Sequence, residues 1–192
     1  MRLKDEKKLA AIIRATLELT HEKGLSGIRM SELAKRAGIA TGSLYTYFED
    51  KQDILLSVDR EVRSQSVAYL KKTAPKDGQS YRERVKSYVG RYADFVSANR
   101  EAILFSDLLQ RSPYMTELSY QDKVNQYQFT VELVEEGQKA GKVRDEDPEE
   151  MVHVIDSIIK MLIDHRQTHL KGTYDEEVRQ RCEEYVWALI KK

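Results

Sequence analysis

His165 and His169 stand four residues apart in "HRQTH", a spacing that sets two imidazoles on one helical face and can chelate zinc. Asp164 or His153 could supply a further ligand. A zinc hydrolase, however, needs a glutamate between its histidines in an HExxH arrangement, and none stands there. Glu150 with His153 is a single Glu-x-x-His step where a helical di-iron site needs two. No glycine-rich phosphate loop or Ser/His/Asp cluster is visible. Cys182 is the single cysteine, so neither an internal disulfide nor a cysteine metal site can form. Its neighbours Tyr185 and Val186 mark it as a packed thiol. The expectation is therefore no catalysis, no metal and no cofactor.

A different chemistry lies in "GIATGSLYTYFEDK", residues 38–51. Small residues and hydroxyls crowd a segment too short to carry a wide apolar face. Leu33, Ala34, Ala37, Ile39, Leu44 and Phe48 can supply a small inner core. Thr41, Gly42, Ser43, Tyr45, Thr46 and Tyr47 are left for the outer face. Short hydroxyls and phenols donate to phosphate oxygens, and a glycine lets the backbone approach a partner closely. Two short helices joined by "AGIA", with a glycine in the turn, fit a helix-turn-helix, in which only the tip of the second helix enters a major groove.

The elements around this segment read as helices throughout. Leu9, Ile12, Ile13, Thr16, Leu17 and Thr20 recur at helical spacing, and Gly24 suits the end of that first helix. "SELAKRA" (31–37) makes a two-turn helix with Ser31 as its cap, and Thr41 caps the next, 41–48. Asp50 and Asp53 resemble a capping box opening a helix over 51–73, ahead of Pro75. Ser80 with Glu83 caps a helix reaching residue 98, and 99–110 forms a shorter one. Ser112-Pro113 opens a long helix to residue 140. Asp147-Pro148 starts another, and Thr173 with Glu176 boxes the last, 174–191. The fold class is all-α, with about nine helices and no strand.

Composition sets the outer bounds. The chain has 192 residues, 33% of them charged and balanced to zero formal charge. Residues 1–51 carry ten Lys/Arg against seven Asp/Glu, a net of +3, which leaves −3 beyond; an excess of three is weak evidence for nucleic acid by itself. The opening residues have too short an apolar run for a signal peptide, and "VIDSIIKMLI" is broken by Asp156 and Lys160. A cytoplasmic protein without a membrane span is expected.

"GIRMSELAKRAGIATGSLYTYFEDKQDIL", with Gly24, "LAKRAGI", "GSLYTYF" and Lys51, strongly resembles the DNA-binding segment of the tetracycline-repressor (TetR) family over residues 8–58. "AGKVRDEDPEEM" (140–151) is similar to the turn before that family's penultimate helix. The resemblance implies an N-terminal three-helix helix-turn-helix domain, 1–51, and a C-terminal helical ligand-binding and dimerisation domain, 52–192. It implies that Thr41, Gly42, Ser43, Tyr45, Thr46 and Tyr47 face double-stranded operator DNA and that Lys51 meets a phosphate. Arg29 stands where the family commonly has threonine, so the cap shifts to Ser31; Arg29 and Ser31 are both DNA-contact candidates, Arg29 at a phosphate.

The resemblance also implies a small-molecule inducer and a homodimer. Tyr88, Tyr92, Phe95, Leu104, Phe105, Tyr127, Ile158 and Met161 are the expected ligand residues, suited to a largely apolar or aromatic molecule. Phe129, Val131 and Leu162 could join them. Ile155, Ile159, Leu162, Val178, Cys182, Tyr185, Val186 and Leu189 are the expected dimer surface, a four-helix seam. The alternative is a helical small-molecule or metal-binding module without DNA activity.

Overall fold

A computed structural model describes residues 2–72 and 78–192, with the side chains from Glu6 onward. Ten α-helices and one π-helical turn appear among them: α1 Arg2–Gly27, α2 Met30–Ala37, α3 Thr41–Leu44, α4 Lys51–Lys72, α5 Tyr81–Ala98, α6 Arg100–Gln110, α7 Glu117–Gln126, α8 Gln128–Lys139, α9 Pro148–Asp164, the turn His165–His169 and α10 Glu176–Ile190. No strand occurs among the described residues, only an isolated antiparallel bridge between Val143 and Lys191. The expected end of the fourth helix, at residue 73 ahead of Pro75, lies outside the described residues.

Close packing divides the chain into two units, Met1–Ser64 with Arg100–Lys123, and Gln65–Asn99 with Val124–Lys192. Compactness thus assigns the first half of α4, all of α6 and most of α7 to the same unit as α1–α3, rather than cutting at residue 51.

In the first unit α1 packs on α2 and α6. Gly24 breaks α1 with φ 68°, a left-handed conformation that costs glycine little, and the chain turns towards α2. Gly38 does the same after α2 at φ 70°, while Ile39 N–H reaches back to Ala34 O at 3.0 Å. Ile12, Leu19, Leu33, Leu44, Ile54, Leu55, Phe105 and Leu109 are almost wholly buried in one cluster, each contributing roughly 1.5–3 kcal/mol by leaving water. Polar ties reinforce the α1–α2 angle. Arg36 forks onto both Glu22 oxygens at 2.7 and 2.9 Å and reaches Glu18 at 3.3 Å, and Lys23 pairs with Glu32.

In the second unit α10 packs on α5 and α9, α9 on α8 and α5, around Val85, Val89, Ala93, Ile155, Ile159, Ile163, Cys182 and Val186. The chain end is pinned to the loop after α8 by Arg144 N–H to Ile190 O (2.9 Å) and Lys192 N–H to Lys142 O (3.1 Å).

Three capping expectations hold. Ser80 and Glu83 form a reciprocal capping box. Asp147 accepts from Glu150 N–H at 2.9 Å. Asp50 accepts from Asp53 N–H at 2.9 Å, while Asp53 reaches back to Glu49 N–H at 3.0 Å.

Others need correction. Ser31 does not cap α2, which starts one residue earlier with Arg29 in the cap position and no side-chain bond. Thr41 is the first helical residue of α3, behind Ala40. Asp175, not Thr173, caps α10, accepting from Val178 N–H at 3.0 Å.

Pro113 opens no helix: Ser112 bonds Leu109 O and Tyr114 N–H in a turn, and Thr116 accepts from Ser119 N–H to start α7. The expected long helix 113–140 is further split at Tyr127, whose carbonyl accepts both Thr130 N–H (2.9 Å) and the Thr130 hydroxyl (2.6 Å). A three-residue return of that kind tightens the chain and interrupts the α-helical ladder.

Candidate functional site

Helix α3 is a single turn, and Tyr45–Tyr47 continue it as a turn rather than as the two-turn helix expected over 41–48. Leu44 and Phe48 are buried in the core of the first unit together with Leu33 and Ala34, and Ala37 and Ile39 pack partly against it. These residues orient the tip from beneath. Thr41, Gly42, Tyr45, Thr46 and Tyr47 are exposed above them, and Ser43 is half-buried. A methyl group built on Gly42 would meet nothing within 4 Å, so the bare backbone there answers no internal crowding.

The hydroxyls are not equivalent. Thr46 Oγ1 donates to Ser43 O at 2.8 Å, which leaves its lone pairs outward as acceptors. The Tyr47 ring packs against Phe48 and carries Lys8 Nζ 5.9 Å from its centroid. In the sequence Lys8 is one charge among the ten of residues 1–51; only the folded chain sets it beside Tyr47.

Lys51 is half-buried. Its ammonium donates to Ser26 O at 3.2 Å and stands 5.3 Å from the Tyr114 ring centroid. It therefore ties the turn after Gly24 to the start of α4. Arg29 and Ser31 are both exposed at the start of α2.

The expected ligand residues are divided between the two units. Phe105 is fully buried in the core of the first unit, and Leu104 beside it on α6 is 41% exposed. Tyr88, Tyr92 and Phe95 lie on one face of α5 in the second unit. The Tyr88 and Tyr92 rings stack at 6.3 Å, Phe129 meets Tyr88 edge-on at 6.3 Å, and Tyr69 packs on Phe95 at 5.7 Å. The Tyr92 hydroxyl donates to Asp156, which also pairs with Lys160 at 2.9 Å. Burial first, then the nearby Asp156 charge, drives the Tyr92 phenol far above its ordinary pKa; burial and then Tyr127 do the same for Tyr88.

On α9 the two expected faces exchange places. Ile155 and Ile159, expected at a dimer surface, are buried with Met151 and Ile163 in the chain's own core. Ile158 and Met161, expected at the ligand, line a shallow outer recess with His153, Val154 and Ser157. The same holds on α10, where Val178, Cys182 and Val186 are buried, whereas Tyr185 is exposed and Leu189 half-buried. Leu162 is half-buried as well. Helix α9 is apolar around much of its girth, so periodicity left its phase open by about one residue, or 100°; on α10 the buried residues are the centre of the expected stripe, and Tyr185 and Leu189 lie at its edge.

The His165 and His169 rings lie 5.6 Å apart between centroids, tilted by 34°. Among the described residues no three His, Cys, Asp or Glu side chains are grouped to hold a metal ion. No described helix is long and apolar enough to cross a membrane.

A one-turn exposed helix, seated on a small core behind a left-handed glycine turn, defines a helix-turn-helix protein. The family model for bacterial regulatory proteins of the tetR family matches residues 12–58, and that for the tetracyclin repressor-like C-terminal domain matches 60–192. The chain belongs to the tetR family of bacterial regulatory proteins, its N-terminal part being that family's helix-turn-helix and its C-terminal part the tetracyclin repressor-like domain.

The fatty acid metabolism regulator protein of Bacillus subtilis is 26% identical over 119 residues, 62% of this chain and 59% of that protein. The transcriptional regulator BetI of Escherichia coli is 39% identical over 54 residues, 28% of each. The chain thus matches little more than half of the first relative's length and under a third of the second's. Among solved structures, a TetR family transcription regulator from Marinobacter aquaeolei has a TM-score of 0.88 at 20% identity, covering 100% of both chains. FadR from Bacillus subtilis, in complex with stearoyl-CoA, has 0.73 at 22%, covering 94% of this chain and 96% of that one. At these identities the structural likeness speaks for the fold.

Proposed function

We propose that the protein is a ligand-released repressor that binds a near-palindromic operator as a homodimer. Residues 1–51 read DNA, and residues 52–192 bind the inducer and the second subunit. The observation that carries this reading is the exposed tip Thr41–Tyr47, with its bare backbone at Gly42, seated on buried Leu44 and Phe48. Thr41, Ser43 and Thr46 touch base edges; Tyr45, Tyr47, Lys51, Lys8 and Arg29 serve the backbone phosphates. Two-fold symmetry sets the paired tips about 34–36 Å apart when bound, one helical turn of DNA.

The subunit contact uses the apolar side chains that α9 and α10 leave outside: Val154, Ile158, Met161, Leu162, Tyr185 and Leu189. The inducer is a small, largely apolar or aromatic molecule bound beside Tyr88, Tyr92 and Phe95. It releases DNA only by its differential affinity for the two states, and moving a population from 1:99 to 99:1 takes about 5.5 kcal/mol, shared between two sites per dimer. By linkage the operator weakens inducer binding by the same factor.

Light scattering after size exclusion, followed by selection of operator sequences from a random duplex library, tests the proposal. A dimer selecting an inverted repeat is the expected result; a monomer at micromolar concentration, or no sequence enriched, overturns it.

A further inference from the structure

Three charged side chains are buried among the described residues, and two of them, Asp59 and Arg63, pair at 2.8 Å. The third is Arg91 on α5, 9% exposed, with no acid in ion-pair range among the described residues. One of its terminal amino groups donates to Ser87 Oγ at 2.6 Å, and its buried Nε–H has no acceptor. The acids on the neighbouring helix turns are engaged elsewhere. Asp94, Glu176 and Glu183 all surround Arg179, at 3.4–3.5 Å, and Asp94 also accepts from the Tyr174 hydroxyl at 2.7 Å.

A guanidinium cannot shed its charge by deprotonating, and a buried cation without a counter-charge is costly. Burial presses the Arg91 pKa down; the Tyr88 and Tyr69 phenols oppose that, and the Arg179 charge adds to it. Phenols favour the cation but do not neutralise it. The position of Arg91 gives the orphaned charge its meaning. It lies within one helical turn of Tyr88, Tyr92 and Phe95 along α5, so its charge sits at the edge of the aromatic group. The Nε side of a guanidinium is also the edge that grips a carboxylate or phosphate through two parallel hydrogen bonds.

We propose that Arg91 is the anion-binding group of the ligand-binding domain, and that the inducer is an amphiphile whose apolar body ends in one carboxylate or phosphate. This rests on the reading of the protein as a ligand-released regulator and adds the charge of the ligand. The anion supplies the counter-charge that the folded chain withholds, while Tyr69, Tyr88, Tyr92 and Phe95 meet the apolar body.

Calorimetric titration of the full-length protein with dodecanoate, lauroyl-CoA and the uncharged 1-dodecanol tests it, in the wild type, Arg91→Met and Arg91→Lys. At least one anion should bind the wild type roughly ten- to a hundredfold more tightly than the alcohol, the range expected of a charge-assisted hydrogen-bonded pair. Arg91→Met should abolish that preference, and Arg91→Lys should keep part of it. Dodecanoate or lauroyl-CoA as the tighter ligand identifies carboxylate or phosphate as the head.

The melting temperature without ligand should not fall in Arg91→Met, because an apolar isostere relieves an unpaired buried charge. Equal binding of acid and alcohol, no binding of either anion, or an anion preference surviving in Arg91→Met each overturn the proposal. So does a loss of several degrees in the Arg91→Met melting temperature. Persistent operator binding beside any of those results leaves the regulator standing, whereas failure of the wild type to bind any duplex removes the regulator itself.

Discussion

The Lys51 ammonium donates to the carbonyl of Ser26 at 3.2 Å, joining the turn that follows the α1 break to the first residue of α4. One side chain thus braces the helix-turn-helix and adds a positive charge to that unit. Lys51→Ala should weaken binding to all duplexes alike, because phosphates carry no base identity. If both copies in a dimer neutralise phosphates, the log–log salt slope should fall by about two units. Electrophoretic titration between 50 and 200 mM salt reads this directly. Weaker binding with an unchanged slope would reduce Lys51 to a positioning residue.

Gly42→Ala separates folding from contact. An added methyl group meets no atom of the chain within 4 Å, so stability should hold or rise by about 0.5 kcal/mol. DNA affinity should nevertheless drop about tenfold if the backbone approaches a groove wall there. Full affinity in the variant would show that nothing comes close to Gly42.

Asp59 and Arg63 form a buried pair one turn apart on α4, the helix whose residues are divided between the two units. Asp59→Asn takes the counter-charge from a buried guanidinium and should cost about 3–5 kcal/mol in urea unfolding. The double change Asp59→Leu with Arg63→Met should recover most of that loss. If the double variant is as unstable as the single one, the pair contributes through some further contact.

The outer apolar residues of α9 and α10 carry a distinct expectation. Met161→Glu with Tyr185→Glu should leave the helical far-UV spectrum unchanged, since these side chains are 61% and 49% exposed on the single chain, and should yield a monomer in light scattering. Ile159→Ala should instead cost about 2–5 kcal/mol through the cavity it leaves in the chain's core. A dimer surviving both glutamates would move the subunit contact elsewhere.

Burial raises the Cys182 thiol from the usual 9.0 to about 11. The sign follows from the protonated form being favoured when folded. Its contribution to stability is intact below pH 9 and is lost as the pH climbs from 9 through 11. Tyr81, raised to about 12 by burial, adds a loss above pH 10. Comparing urea midpoints of wild type and Cys182→Ala at pH 8 and 10.5 isolates the thiol, and the wild type should lose more. An equal loss in the two proteins would show the thiolate to be tolerated inside.

The sequence by itself determined the helical class, the helix-turn-helix and the outward tip. These rest on local chemistry. Gly24 and Gly38 take left-handed conformations within their own turns, Ser80–Glu83 and Asp147 cap within one turn, and Leu44 and Phe48 can only point inwards on so short a helix. Two local signals misled. Ser112-Pro113 reads as a helix start, yet the Ser112 hydroxyl is spent on Leu109 O, and Thr130 folds back on Tyr127 and splits the helix after it. Tertiary structure alone decided which side of α9 is inside. That helix is apolar beyond one stripe, so any of several phases would bury enough area, and the choice falls to what packs opposite. The same reason took Phe105 into the core of the first unit. It also left Arg91 without an acid, for a guanidinium's partners come from elements far apart in the chain, and no spacing along α5 could announce that none would arrive.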